Sequence, residues 1–184
     1  MNISEAIISF SKDIQHISIE CAKNITTFYS SDSDKTVSNK DFGSIIVELE
    51  YLFLHVIDRY SYVILSESNR NSFIEALGMT VINSNLNNYG LNIDEHMIEE
   101  AKQYEINVLN ERNQEYSKYI KLFPDQGEGT MNTLFWKFGK KISLEYLHTS
   151  NPAVIMKCVL VGSEIILKGK IEETLKNIIS NSTN

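Results

Sequence analysis

The sequence predicts an all-α fold, a bundle of five or six helices built as one domain over residues 1–184. Three observations carry that expectation. Apolar residues recur at steps of three and four along most of the chain, the spacing of a helix face. Only two prolines and eight glycines are present, too few turn formers for a multi-turn β sandwich. The stretch near 42–66 is apolar nearly all round, as a helix is when its neighbours surround it.

The first helix is expected over 3–29. Its stripe runs through Ile3, Ile7, Phe10, Ile14, Ile17, Cys21, Ile25 and Phe28. Ser30 to Lys40 is polar and serine-rich, and reads as a mobile connector. The second helix, 42–66, takes the centre. A third over 69–87 places Phe73, Ile74, Leu77, Val81 and Leu86 inward, and Asn87-Asn88-Tyr89-Gly90 ends it as a turn. Asp94 is suited to cap a fourth helix over 95–120, with an inward stripe of Met97, Ala101, Tyr104, Val108, Tyr116 and Tyr119.

Phe123 to Thr130, with one proline and two glycines, reads as a second mobile loop. Thr130 is expected to cap a fifth helix over 131–148, with Leu134, Phe135, Phe138 and Ile142 inward. Asn151-Pro152 opens the sixth, since proline suits a first helical turn. Residues 153–168 are rich in Val and Ile, and a strand pair turning at Gly162-Ser163 competes with a helix there. The helix is favoured because it puts Ile155, Cys158, Gly162, Ile165 and Gly169 on one face, and Ile171, Leu175 and Ile178 continue the spacing.

With 42% hydrophobic and 22% charged residues, the chain can bury a sizeable core without a disulfide or metal. Cys21 and Cys158 each lie among apolar residues and read as small buried side chains. No cofactor is implied. The net charge is −7, which disfavours nucleic acid. Residues 1–129 hold 10 Lys/Arg against 20 Asp/Glu, while residues 130–184 hold 7 Lys against 4 Glu. That asymmetry fits two halves that attract each other, or a basic partner, but the favoured reading is a solvated acidic surface. The amino terminus has no basic run followed by a cleavable apolar stretch, so a cytoplasmic location is expected. Five ionisable groups in 45–65 argue against a membrane span there.

Chemistry is sought first in the central helix. At about 100° per residue, Glu48, His55, Arg59 and Tyr62 fall within about 60° of one another, with Asp58 at the edge. A helix this apolar must bury some of these groups, and buried charge needs a partner. Glu105 and Arg112 on the fourth helix and Glu145 on the fifth are available. The candidate interior site is therefore Glu48, His55, Asp58, Arg59, Tyr62, Glu105, Arg112 and Glu145.

Such a network fixes helix register, or it lines a pocket in which His55 serves as base or ligand. Asp13-x-x-His16 and Glu145-x-x-His148 have the spacing of di-metal bundle pairs, but one uses Asp and the other lies near a helix end. No metal site is therefore assigned. The Gly127-Glu128-Gly129-Thr130 loop matches no phosphate-binding motif. Lys137, Lys140 and Lys141 read as a solvated helix face.

No catalytic signature is present, so the expected function is a non-enzymatic interaction or regulatory module of the inhibitor or immunity type, with a basic protein partner. Self-association into a homo-oligomer is a further expectation. The competing reading is a small-molecule or metal-binding bundle, or an enzyme, centred on Glu48, His55, Asp58 and Arg59.

Overall fold

Ser38 starts the central helix. Its hydroxyl accepts a hydrogen bond from the Asp41 amide at 3.1 Å, satisfying one of the free N–H groups at the helix start. In the computed structural model, which describes residues 3–33, 35–88, 95–123 and 130–182, the helices are α1 (Ile3–Ser33), α2 (Asn39–Ile64), α3 (Glu67–Asn88), α4 (Glu95–Tyr116), α5 (Leu134–Lys141), α6 (Pro152–Lys168) and α7 (Ile171–Ser182). No strand occurs among the described residues. The fold is all-α, as the spacing predicts.

α2 lies against α1, α3, α4, α6 and α7. Every residue from Glu48 to Ile57 is buried. α1 contributes Phe10, Ile14, Ile17, Cys21 and Ile25 to the core around it, while Phe73, Leu77 and Val81 come from α3. Burial of side chains of this size contributes about 1.5–3 kcal/mol each. The enclosure ends one turn before the helix does. Tyr62 and Val63 are exposed.

Several boundaries differ from the sequence reading, each for a local reason. The polar 30–40 connector is shorter than expected, because α1 continues to Ser33 with Ser31 and Ser33 hydroxyls bonding back to Thr27 and Tyr29 carbonyls. Asp94, Tyr89-Gly90 and the Gly127-Glu128-Gly129 loop lie outside the described residues. The cap of α5 is Thr133, whose hydroxyl accepts from the Trp136 amide; Thr130 instead begins a short 3₁₀ turn, Thr130–Asn132. α4 stops at Tyr116. The sixth segment is helical, with Asn151 accepting from the Ala153 amide ahead of the proline. It divides at Gly169-Lys170, where Lys170 takes a positive φ of 43° and α7 begins.

Glycine sets the closest approaches. A Cβ on Gly139 would stand 2.8 Å from the Ile155 carbonyl oxygen of α6, and one on Gly162 would stand 2.8 Å from the Phe138 ring. At these two points α5 and α6 approach too closely for a side chain on the glycine. Gly169 similarly leaves room for the Phe53 ring of α2.

After Lys141 the backbone widens into a π-type turn, Ile142–Tyr146. A wider turn advances fewer degrees per residue, so it re-aims the side chains that follow. That shift matters for the polar interior.

Candidate functional site

Glu48 sits at mid-depth in the bundle and is 2% exposed. A carboxylate there needs donors, and three converge on it. The Tyr116 hydroxyl donates to one oxygen, and Arg112 Nε at 3.0 Å and the Tyr146 hydroxyl at 3.1 Å donate to the other. Burial works against the charge on Arg112, but the Glu48 carboxylate outweighs it and its pKa rises. Tyr116 and Tyr146 are pushed up by burial first and by Glu48 second, which keeps both as neutral donors. Arg112 also approaches Glu115 at 3.5 Å, and Lys137 of α5 reaches that carboxylate at 2.8 Å. The acidic first part of the chain and the basic last part thus meet through an ion pair, as they do again between Glu20 and Lys168 at 3.6 Å.

One turn along α2, the Tyr51 hydroxyl donates to Glu105. Glu50 faces α3, where the Asn85 amide donates to it at 2.5 Å. Burial raises the Glu50 pKa to about 7, Asn85 opposes the rise, and the nearby Glu105 charge adds to it.

His55 belongs to a different cluster. Arg59 Nε donates to its Nε2 at 3.1 Å, so that nitrogen is an acceptor. Burial first, and the Arg59 charge second, lower its pKa to about 4. The imidazole is neutral at pH 7 and packs against the Tyr116 ring. The other Arg59 nitrogens donate to the carbonyls of Tyr116, Tyr119 and Ile120. A guanidinium there gathers carbonyls at and just beyond the end of α4 and suits the negative end of its dipole.

Asp58 turns away from both clusters and makes a two-point pair with Arg70 of α3, at 2.7 Å for each contact. It borders a cleft of about 490 Å³ between α3 and α4, walled by Ile74, Ile82 and Leu109.

Two of the expected interior residues lie outside. Tyr62 is 72% exposed and stacks on Arg70, because α2 has by then emerged from its neighbours. Glu145 is half exposed and pairs with Lys141 at 2.5 Å. The π-type turn is the reason: it swings Tyr146 inward to Glu48 and carries Glu145 off the line of Leu134, Phe138 and Ile142. Lys141, read as solvated, is buried, while Lys140 is exposed.

α4 is rotated from the expected stripe. Met97 and Tyr104 are exposed, at 55% and 65%. Pairing Arg112 with Glu48 and Glu105 with Tyr51 turns the polar face of α4 inward and these apolar side chains out. Asp13-x-x-His16 and Glu145-x-x-His148 do not come together. Among the described residues no three His, Cys, Asp or Glu side chains gather as a metal site. Cys21 and Cys158 are free and buried, and burial pushes their thiols up to about 11 and about 12.

Tyr51, Asn85, Tyr116 and Tyr146 are the interior donors that pattern reading misses. Their signal is chemical: a tyrosine on an inward face needs a partner for its hydroxyl.

Part of this network, though not Asn85 or Tyr116, borders an open cleft of about 480 Å³. The first turns of α2 form one wall, through Lys40, Gly43 and Val47, and α4 forms the other, through Tyr104, Glu105 and Val108. Glu48, Tyr51, Arg112 and Tyr146 also line it. Of the sequence-predicted residues, Glu48, Glu105 and Arg112 thus share one cavity lining. No family model, curated protein or solved structure matches this chain. Among the described residues no helix is long and apolar enough to cross a membrane.

Proposed function

We propose that this is a non-enzymatic cytoplasmic interaction protein that holds a basic protein partner against α4, as an inhibitor or regulator does. The observation that carries the proposal is the outer stripe of that helix. Met97, Glu100, Tyr104, Asn107 and Glu111 fall within about 80° of arc and all are exposed. α4 carries six glutamates against Lys102 and Arg112. Exposed aromatic and methionine side chains set among carboxylates suit a partner with apolar anchors and a basic rim. The charge would steer its approach.

Glu48 supports the same reading from the inside. Its donors occupy both oxygens, and His55 is held neutral by burial and then by the Arg59 charge, so we read the network as seating α4 on α2. The experiment is capture on immobilised protein from cell extract at low and high ionic strength, with the parent chain beside Glu100→Lys/Glu111→Lys. A partner retained at low salt, released at high salt and not retained by the double variant is the expected result. Retention indifferent to the charge reversal, or none at low salt, contradicts the reading.

A further inference from the structure

The cleft between α2 and α4 has a charge arrangement that the partner-holding stripe does not use. Glu105 lies on its wall, and its partner is the neutral Tyr51 hydroxyl. The one arginine nearby, Arg112, is shared between Glu48 and Glu115. Among the described residues no cation pairs with the Glu105 carboxylate, whereas Glu48 beside it has Arg112. Tyr104, next in sequence, brings an aromatic ring to the same cavity, and Val47 and Val108 supply apolar wall. Lys40 is the opposing charge, on the exposed rim.

A carboxylate held by a hydroxyl, an aromatic ring and short apolar walls suit an organic cation. The ammonium or guanidinium pairs with the carboxylate and meets the ring face, while its alkyl stem lies on the valines. We propose that this cleft binds an alkylammonium or guanidinium group, presented by a free amine or by a lysine or arginine side chain. The volume of about 480 Å³ exceeds what one such group fills, so the two sources are distinguished by experiment. Tyr104 is shared with the outer stripe of α4, whereas Glu105, Val47 and Val108 belong to the cleft alone.

The test is calorimetric titration of the full chain with agmatine, and separately with a capped Gly-Arg-Gly peptide. 1,4-Butanediol and succinate serve as neutral and anionic controls. Saturable binding of agmatine is expected, weakened about tenfold by Glu105→Gln, which keeps an acceptor for Tyr51. Lys40→Gln should tighten it. Tyr104→Ala, at an exposed position, should weaken it and carries the same test if the Glu105 variant unfolds. Peptide binding that exceeds agmatine binding identifies a protein side chain as the source, and the reverse identifies a free amine. No saturable binding of either probe at millimolar concentration, tighter binding of succinate, or affinity unchanged in both cleft variants overturns the proposal.

Discussion

Glu48→Ala is expected to destabilise the protein by about 3–5 kcal/mol, the range for removing one partner of a buried ion pair. The carboxylate is almost wholly enclosed and accepts from Arg112, Tyr116 and Tyr146. Without it, a guanidinium and two hydroxyls remain in the interior with their acceptor gone. The cost comes from those unsatisfied donors more than from the lost attraction. Glu48→Gln should lose less, since it keeps an acceptor of the same shape. Glu48→Leu combined with Arg112→Met should recover part of the loss, because it removes the stranded guanidinium but leaves the Tyr116 and Tyr146 hydroxyls without their acceptor. Urea unfolding of the parent and the three variants measures this. A Glu48→Ala loss within about 0.5 kcal/mol, the level of an ordinary surface change, would contradict the role given to Glu48.

The pH dependence of stability should contain two opposed contributions from adjacent turns of α2. Glu50 has a folded pKa of about 7 against an ordinary 4.5. Between those values the folded state holds a proton that the unfolded state has released, so this group makes stability fall as pH rises from 4.5 to 7. His55 has a folded pKa of about 4 against 6.5. Between those values the unfolded state holds the extra proton, so His55 makes stability rise from pH 4 to 6.5. Each contribution is on the order of 3 kcal/mol across its window, and over the shared interval they largely cancel.

Single variants separate them. The stability of Glu50→Gln relative to the parent should climb between pH 4.5 and 7 and level off above. The relative stability of His55→Gln should drop between pH 4 and 6.5. Differences that stay flat with pH would show that neither group is desolvated as described.

How much of this was legible beforehand follows from which forces act locally. The α1 stripe through Phe10, Ile14, Cys21 and Ile25 is visible as spacing, because one face of a surface helix must reach the core. The same logic finds α2 and its demand for internal partners, and it names Glu48, Glu105 and Arg112 together. It fails for α4, where stripe reading weights Met97 and Tyr104 above Glu105 and Arg112. The polar contacts with α2 decide that helix's rotation, and they are tertiary. It fails for Glu145 because a widened turn breaks the 100° step, and no residue in Ile142–Tyr146 announces a π-type turn. Tyr62 escapes the same logic because periodicity says where a side chain points, not where the neighbouring helices stop.

α2 is sealed along its middle and open at its end. Hydrogen exchange followed amide by amide reads that property. Amides of Leu49 to Ile57 should exchange only through global unfolding, while those of Val63 and Ile64 exchange far faster through local fraying. Exchange of Leu49 to Ile57 as fast as that of the final turn would mean that α2 is not enclosed, and that Glu48 meets water rather than Arg112 and two tyrosines.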